Sequence, residues 1–429
     1  MLLIALASLV TTAVGQDYRV DKPDETMKRN SGAVISSVKN AARYTADKDK
    51  FEEYFVNYYF KDMTRSGADE LARLGDARYN LFKRYLWATD NEELQRHLTD
   101  LAFKGMRQIV VANKPPYHPA VRYNAVLTLG MLDEQYAIET GANRRPPRPH
   151  AAARGVLMQI VTAAAEDKVV PPVLVLGALV GLERHAQYPE SIEPATIDVL
   201  TGALVKLVNH ERPIQEMDRE TFDWLRLRAA GVLAQLGGVG PKNEVHDALI
   251  KLVAGFKSLD DRTATAALLD KMKYEGAKVD AAAAVEQLFK LARDVGEAEA
   301  KRAEEFESAH VAGGGFGPRG AERFMPAGMQ GERETFPRRH VLARLTDLRA
   351  GLQALKKIVP EDNKPKIDEV LSAIEPARSA AADKDTVELK LTAAIHTMAA
   401  AVDRAAAPAE KPADEIEVEE AFEAAASGQ

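Results

Sequence analysis

The chain contains no cysteine. Disulfide staples, thiolate zinc sites, thiol nucleophiles and cysteine-linked haem are therefore excluded, and 429 residues are enough to build a core without covalent cross-links. Aromatic residues make up only 6% of the chain, and stretches that alternate apolar with polar residues are scarce. Half-buried sheets draw on both, so an essentially all-α fold is expected. Beyond the first fifteen residues no segment reaches membrane-spanning length without a charge.

Catalytic signatures are missing too. There is no HExxH, GxSxG or SxxK, and no two of the nine histidines lie four or fewer residues apart, so a metal site would have to be assembled between helices. The Gly-rich stretch 313–320 lacks the Lys-Ser/Thr that completes a phosphate loop. The acidic pairs Glu92-Glu93 and Asp260-Asp261 fall at helix starts, where carboxylates satisfy free N–H groups. The chain is expected to hold no cofactor and not to be an enzyme.

A basic excess is likewise absent. The net charge is -7, and residues 408–429 hold seven acids against Lys411, so -6 of it sits in that tail and the body is close to neutral. Duplex nucleic acid is a poor partner for such a surface.

What is present begins with 1–15, an apolar run ending Ala13-Val14-Gly15, which has the form of a cleavable signal peptide, though it lacks an early Lys or Arg. Export is expected, with the mature chain soluble in the periplasm or outside the cell. Residues 16–46 are polar and mixed, and read as a mobile leader. In 47–62, Phe51, Tyr54, Phe55, Tyr58 and Tyr59 fall at i, i+3, i+4, i+7 and i+8, an aromatic stripe that predicts docking onto the helix 67–88.

Four helical pairs follow: 91–112 with 118–133, 151–166 with 173–185, 194–209 with 221–236, and 243–256 with 260–274. Prolines sit in the breaks of the first three. The second helices share a rule: Arg, a small residue at +3, Leu at +7, an apolar residue at +10. It reads Arg122, Ala125, Leu129, Leu132 in the first pair, with Val121 before it and Gly130 within it. The third reads Arg226, Ala229, Leu233, Leu236, and the fourth Arg262, Thr265, Leu269, Met272. The second pair departs twice, with Val175 for the Arg and His185 at +10.

These residues resemble the second helix of a HEAT repeat, over roughly 91–276. The resemblance implies a HEAT-like α-solenoid of about four helical hairpins, in which Arg122, Arg226 and Arg262 are structural and need carboxylate or carbonyl partners. The array is expected to span 47–309 with the aromatic helices as its cap. A Gly/Pro-rich flexible linker at 310–337, a small C-terminal helical bundle at 338–406 and an acidic disordered tail at 407–429 complete the reading.

Arg144, Arg145 and Arg148 lie in a proline-rich stretch that favours an extended backbone, a candidate contact for an anionic partner. The favoured function is a non-catalytic exported scaffold that binds another macromolecule, a protein or an envelope component. Two rivals stand beside it: an inter-helix site of histidines and acids, and a self-associating envelope component.

Overall fold

The computed structural model describes residues 18–138, 144–214, 217–314 and 336–405, with the side chains of 309–314 excepted. The expected signal peptide, the middle of the expected linker and the expected acidic tail lie outside them. The fold is mostly helical, 75%, and the β structure among the described residues is a short antiparallel pair of β1 (Asp133–Gln135) and β2 (Arg148–Pro149). No described helix is long and apolar enough to cross a membrane. The chain divides into two compact units, at Ala248/Leu249.

In the first unit the expected mobile leader is helical and docked. Helices α1 (Ser31–Lys39) and α2 (Ala41–Ala46) bury Val34, Val38 and Tyr44, the last completely. Asn40 explains the break between them, since its side chain caps α2 by accepting from the Arg43 N–H. A polar composition concealed this because few apolar side chains suffice when each is wholly buried.

The aromatic helix α3 runs through Lys48–Tyr54, a π turn at Phe55–Tyr59 and Phe60–Asp62. Phe51, Tyr54 and Phe55 are buried, Tyr58 and Tyr59 half-buried. The π turn adds Phe60 to the buried side, five residues after Phe55 and 5.7 Å from it between ring centroids. Helix α4 follows as Ala68–Ala72, Leu74–Asn80 and a second π turn, Leu81–Leu86, that buries Leu81, Phe82, Tyr85 and Leu86. Tyr85 meets Phe55 edge-on at 5.1 Å.

Three helical pairs come next: α5 (Glu92–Val111) with α6 (Pro119–Met131), α7 (Ala151–Ala165) with α8 (Pro172–Ala186), and α9 (Pro194–Val208) with α10 (Arg219–Leu236). Proline opens α6, α8 and α9, where its missing N–H loses no helical bond. Gly237, in the left-handed conformation at φ 78°, ends α10. The second helices pack on one another in the order α6, α8, α10, and α7 packs on α5 and α9. Val121, Ala125, Leu129 and Leu132 of the first pair are buried in this double row.

Helices α6 and α8 cross where Gly130 meets Gly181. A Cβ on Gly130 would lie 2.5 Å from the Gly181 Cα, and one on Gly181 would lie 2.8 Å from the Leu157 Cδ1. Backbone touches backbone at this point.

The second unit begins inside α11 (Glu244–Gly255) and continues with α12 (Leu259–Leu268) and α13 (Ala281–Gly314). Helices α14 (Arg338–Lys356), α15 (Lys364–Ala382) and α16 (Glu388–Ala405) complete it. The sequence predicts that α13 leaves the core once 297–307 turn charged, setting the C-terminal bundle apart. Instead α13 packs along α16 and α14, and α12 packs on α14, so the three last helices form one body with α12 and α13. Glu299 explains the difference: it is fully buried, with its carboxylate shared between Arg302 (2.7 Å) and Arg344 (2.6 Å). Residues 310–314, expected in the linker, belong to α13.

Gly130→Ala and Gly181→Ala are each expected to lower stability by about 1–3 kcal/mol, since neither helix backbone can retreat without unpacking the row. Gly202→Ala, in α9 with open space at its Cβ position, is expected to raise it by about 0.5–1 kcal/mol. Urea unfolding midpoints at constant slope check both.

Candidate functional site

The repeated arginines occupy one geometry. The Arg122 Nη2 donates to the Val110 carbonyl at 2.7 Å, the Arg226 Nε to that of Val208 at 2.7 Å, and the Arg262 Nε to that of Val253 at 2.7 Å. Each acceptor lies in the last turn of the first helix of the same pair, where carbonyls have no intrahelical partner. The guanidinium thus braces its hairpin internally. Two also pair with carboxylates, Arg226 with Asp223 (3.1 Å) on its own helix and Arg262 with Asp294 (2.7 Å) on α13, beyond its hairpin. With exposures of 9%, 6% and 9% these side chains lie within the packing.

The second pair, with Val175 where the others have Arg, obtains its brace elsewhere. His210, in the loop after α9, bonds through its Nε2 to the carbonyl of Ala165, the last residue of α7, at 3.1 Å. His210 thus caps a neighbouring helix, not the one it follows.

The other departure, His185 at +10, places a polar ring in the core. Its equivalents Leu132, Leu236 and Met272 are core residues, and His185 is likewise at 0% exposure. Neither ring nitrogen makes a well-formed hydrogen bond. Burial, reinforced by the charges of Arg184 and Arg154, pushes its pKa down to about 3, and the Gly130 carbonyl opposes this only in part. Beside it the Arg184 Nη2 donates to Asp133 at 2.6 Å, and burial raises that carboxyl in spite of the guanidinium. Histidines expected on surfaces and loops are in this case core and cap residues. His118 and His150 accept from the Ala120 and Ala153 N–H groups at the starts of α6 and α7, and His246 is 1% exposed.

Across the outer side of α4, α6, α8 and α10 runs a strip that the sequence reading missed. The Arg78 Nη1 donates to Asn124 at 2.6 Å. Tyr123 next to it touches the Gly177 position, 3.1 Å from where a Cβ would be. Further along, the Arg228 Nη1 donates to Glu183 at 3.1 Å, and its guanidinium lies over the Trp224 ring, 5.1 Å from the centroid. Arg78, Tyr123, Glu183, Trp224 and Arg228 are all half-buried. The available signal was positional: these residues stand one or two places from the buried Arg and Leu of the repeat, on the flank the stripe leaves uncovered.

Of the proposed anion contacts, Arg145 bonds to Glu92 at 2.9 Å and Arg148 to Glu134 at 3.1 Å, while Arg144 is exposed. Arg145 also exchanges backbone bonds with Ile138, and Arg148 lies in β2, so the proline-rich stretch is pinned as extended chain against the end of α6. Two of the three charges are already answered within the chain.

No group of three or more histidines and acids with metal-holding geometry occurs among the described residues. No family model, no curated protein and no solved structure matches the chain.

Two outcomes follow from the braces and from His185. Arg226→Met is expected to cost about 2–4 kcal/mol, since the Val208 carbonyl is left buried without its donor and the buried Asp223 keeps only Arg219; equilibrium unfolding measures it. For His185 the unfolded ring, with its ordinary pKa near 6.5, takes up a proton that the folded ring refuses until about pH 3. Stability is therefore unaffected above about pH 7 and falls on acidification through 6.5, by at most about 1.4 kcal/mol per pH unit from this group. His185→Met, matching Met272 at the same repeat position, is expected to flatten that slope between pH 6.5 and 4 in urea melts.

Proposed function

We propose that the chain is a non-catalytic exported scaffold whose hairpins form a HEAT-like α-solenoid and bind another macromolecule, a protein or an envelope component. The observation that carries this reading is the half-buried strip from Arg78 to Trp224, laid across consecutive second helices of the row. Aromatic and Arg side chains held by neighbours lose little freedom on binding, and such residues dominate the energetics of protein interfaces. Each hairpin adds its own contribution to one surface, which is how stacked repeats build extended binding faces.

The row of paired helices supports the solenoid, and the internal braces explain how each pair keeps its shape while offering its flank. The rival reading, an inter-helix site of histidines and acids, finds its strongest cluster in Asp133, His150 and His185, which are 2%, 9% and 0% exposed. Burial to that depth supports a packing role for them over a substrate site. Export rests on the apolar run 1–15 alone.

A photo-crosslinking amino acid placed at Tyr123 or Trp224, in the cell that makes the protein, tests the scaffold. Discrete adducts are expected from both, abolished by Arg228→Ala with Arg78→Ala, and absent from Val199, which is 61% exposed on α9. Equal labelling at all three positions, or none at any, overturns the reading.

A further inference from the structure

A cleft of about 590 Å³ lies in the first unit, away from the strip. One wall is the extended segment Arg19 to Lys22; the others are the end of α3 with Thr64 just beyond it, and the face of α5 from Leu101 to Ile109. Its size is that of a site for a few residues of peptide. The extended wall is held firmly. The Arg19 N–H donates to the Pro116 carbonyl at 2.9 Å, the Asp21 N–H to the Thr64 hydroxyl at 2.9 Å, and the Tyr117 hydroxyl to Asp21 at 2.6 Å. The segment is a fixed edge, with Arg19 stacked on Tyr117 at 5.1 Å.

The lining combines apolar and cationic side chains. Val20 and Val56, 46% and 40% exposed, both line it and are two of the few large apolar side chains left open among the described residues. Phe60 and Leu101 close the floor, and Gly105 makes room for Phe60, whose ring would be 3.2 Å from a Cβ there. Four cations line the cleft, Arg19, Lys22, Lys61 and Lys104, against two carboxylates, Asp21 and Glu52. Asp21 is answered by Arg19 and Tyr117, and Glu52 lies 3.3 Å from His97. Lys22, Lys61 and Lys104 have no carboxylate within ion-pair distance among the described residues, and Lys61 has only Asn57 at 3.4 Å. In a chain whose body is close to neutral, a lining with four cations against two carboxylates is a local excess of positive charge.

We propose that this cleft binds an acidic peptide segment of the partner protein, with an apolar side chain seated between Val20 and Val56 and its carboxylates on Lys22, Lys61 and Lys104. The assignment rests on the scaffold reading and adds to it a second, charge-selective contact for the same partner. Fixed walls mean that little ordering is needed on binding, and the lysines supply association rate and selectivity by charge.

The test uses the full chain and a fluorescein-labelled synthetic peptide of alternating Glu and Leu, with its Gln-for-Glu analogue and decanoate as comparison ligands. Anisotropy is expected to report saturable binding of the acidic peptide, weakened about tenfold or more in the triple variant Lys22→Gln, Lys61→Gln, Lys104→Gln and again by raised salt. Val20→Ser is expected to weaken it independently, and the Gln analogue not to bind. Thermal melts of the variants, expected to match the parent, show that the fold is intact. Unchanged affinity in the triple variant, or no saturable binding by the parent, overturns the proposal. Displacement of the peptide by decanoate at lower concentration assigns the cleft to a lipid anion and overturns it equally. Failure here with strip crosslinks intact rejects the cleft alone, whereas binding here without strip crosslinks rejects the scaffold surface.

Discussion

Each braced hairpin depends on a single bond between a buried guanidinium and a carbonyl that its own helix cannot satisfy. A helix ending inside a stack leaves four such oxygens without donors, and water is not available to the innermost. Arginine suits the task because it remains charged under burial, offers several donors from one rigid plane, and reaches across an interhelical gap on an apolar stem. Placing it one or two turns into the second helix lets the same residue stop the first helix and set the distance to the second. Hairpin geometry and helix termination thus become one event.

The second hairpin shows what happens when that residue is lost. Val175 packs in the Arg position, and the vacated duty passes to His210, one hairpin further along the chain. That exchange turns an internal brace into a bond between neighbours. The same hairpin carries the buried imidazole of His185 and the Gly130/Gly181 crossing, so its cohesion comes from helix proximity more than from polar bonding. Buried charge is handled differently in the second unit, where Glu299 holds two arginines and so ties α13 to α14. Paired in this way, ions can be buried without leaving an uncompensated charge.

Helix content and the core positions were legible in the sequence because burial repeats at the helical period: Val121, Ala125, Leu129 and Leu132 needed no more than counting. The partners of Arg122, Arg226 and Arg262 were not legible, since a carbonyl acceptor leaves no trace in residue identity. His185 was half-readable, its repeat position being apolar in every sister helix while its chemistry suggested a surface. The boundary between the units was misplaced because a charged run on α13 looks solvated until its partners on a distant helix are known. The half-buried strip escaped notice for a related reason: Tyr123, Glu183, Trp224 and Arg228 belong to three separate helices, and only packing brings them to one flank.

The two π turns in the aromatic helices carry a consequence for how this part of the chain can change. A π turn holds one residue more than an α turn, so the extra residue is taken up locally and Phe60 and Leu86 keep the facing they would have in a plain helix one residue shorter. Deleting any one residue from 55–59 would therefore restore α geometry and leave Phe60 packed at Gly105, whereas closing the turn to α with every residue kept would swing everything after it by about 100° about the helix axis. A one-residue deletion is therefore absorbed inside these two turns, whereas elsewhere along the same helices it would rotate the buried stripe out of phase.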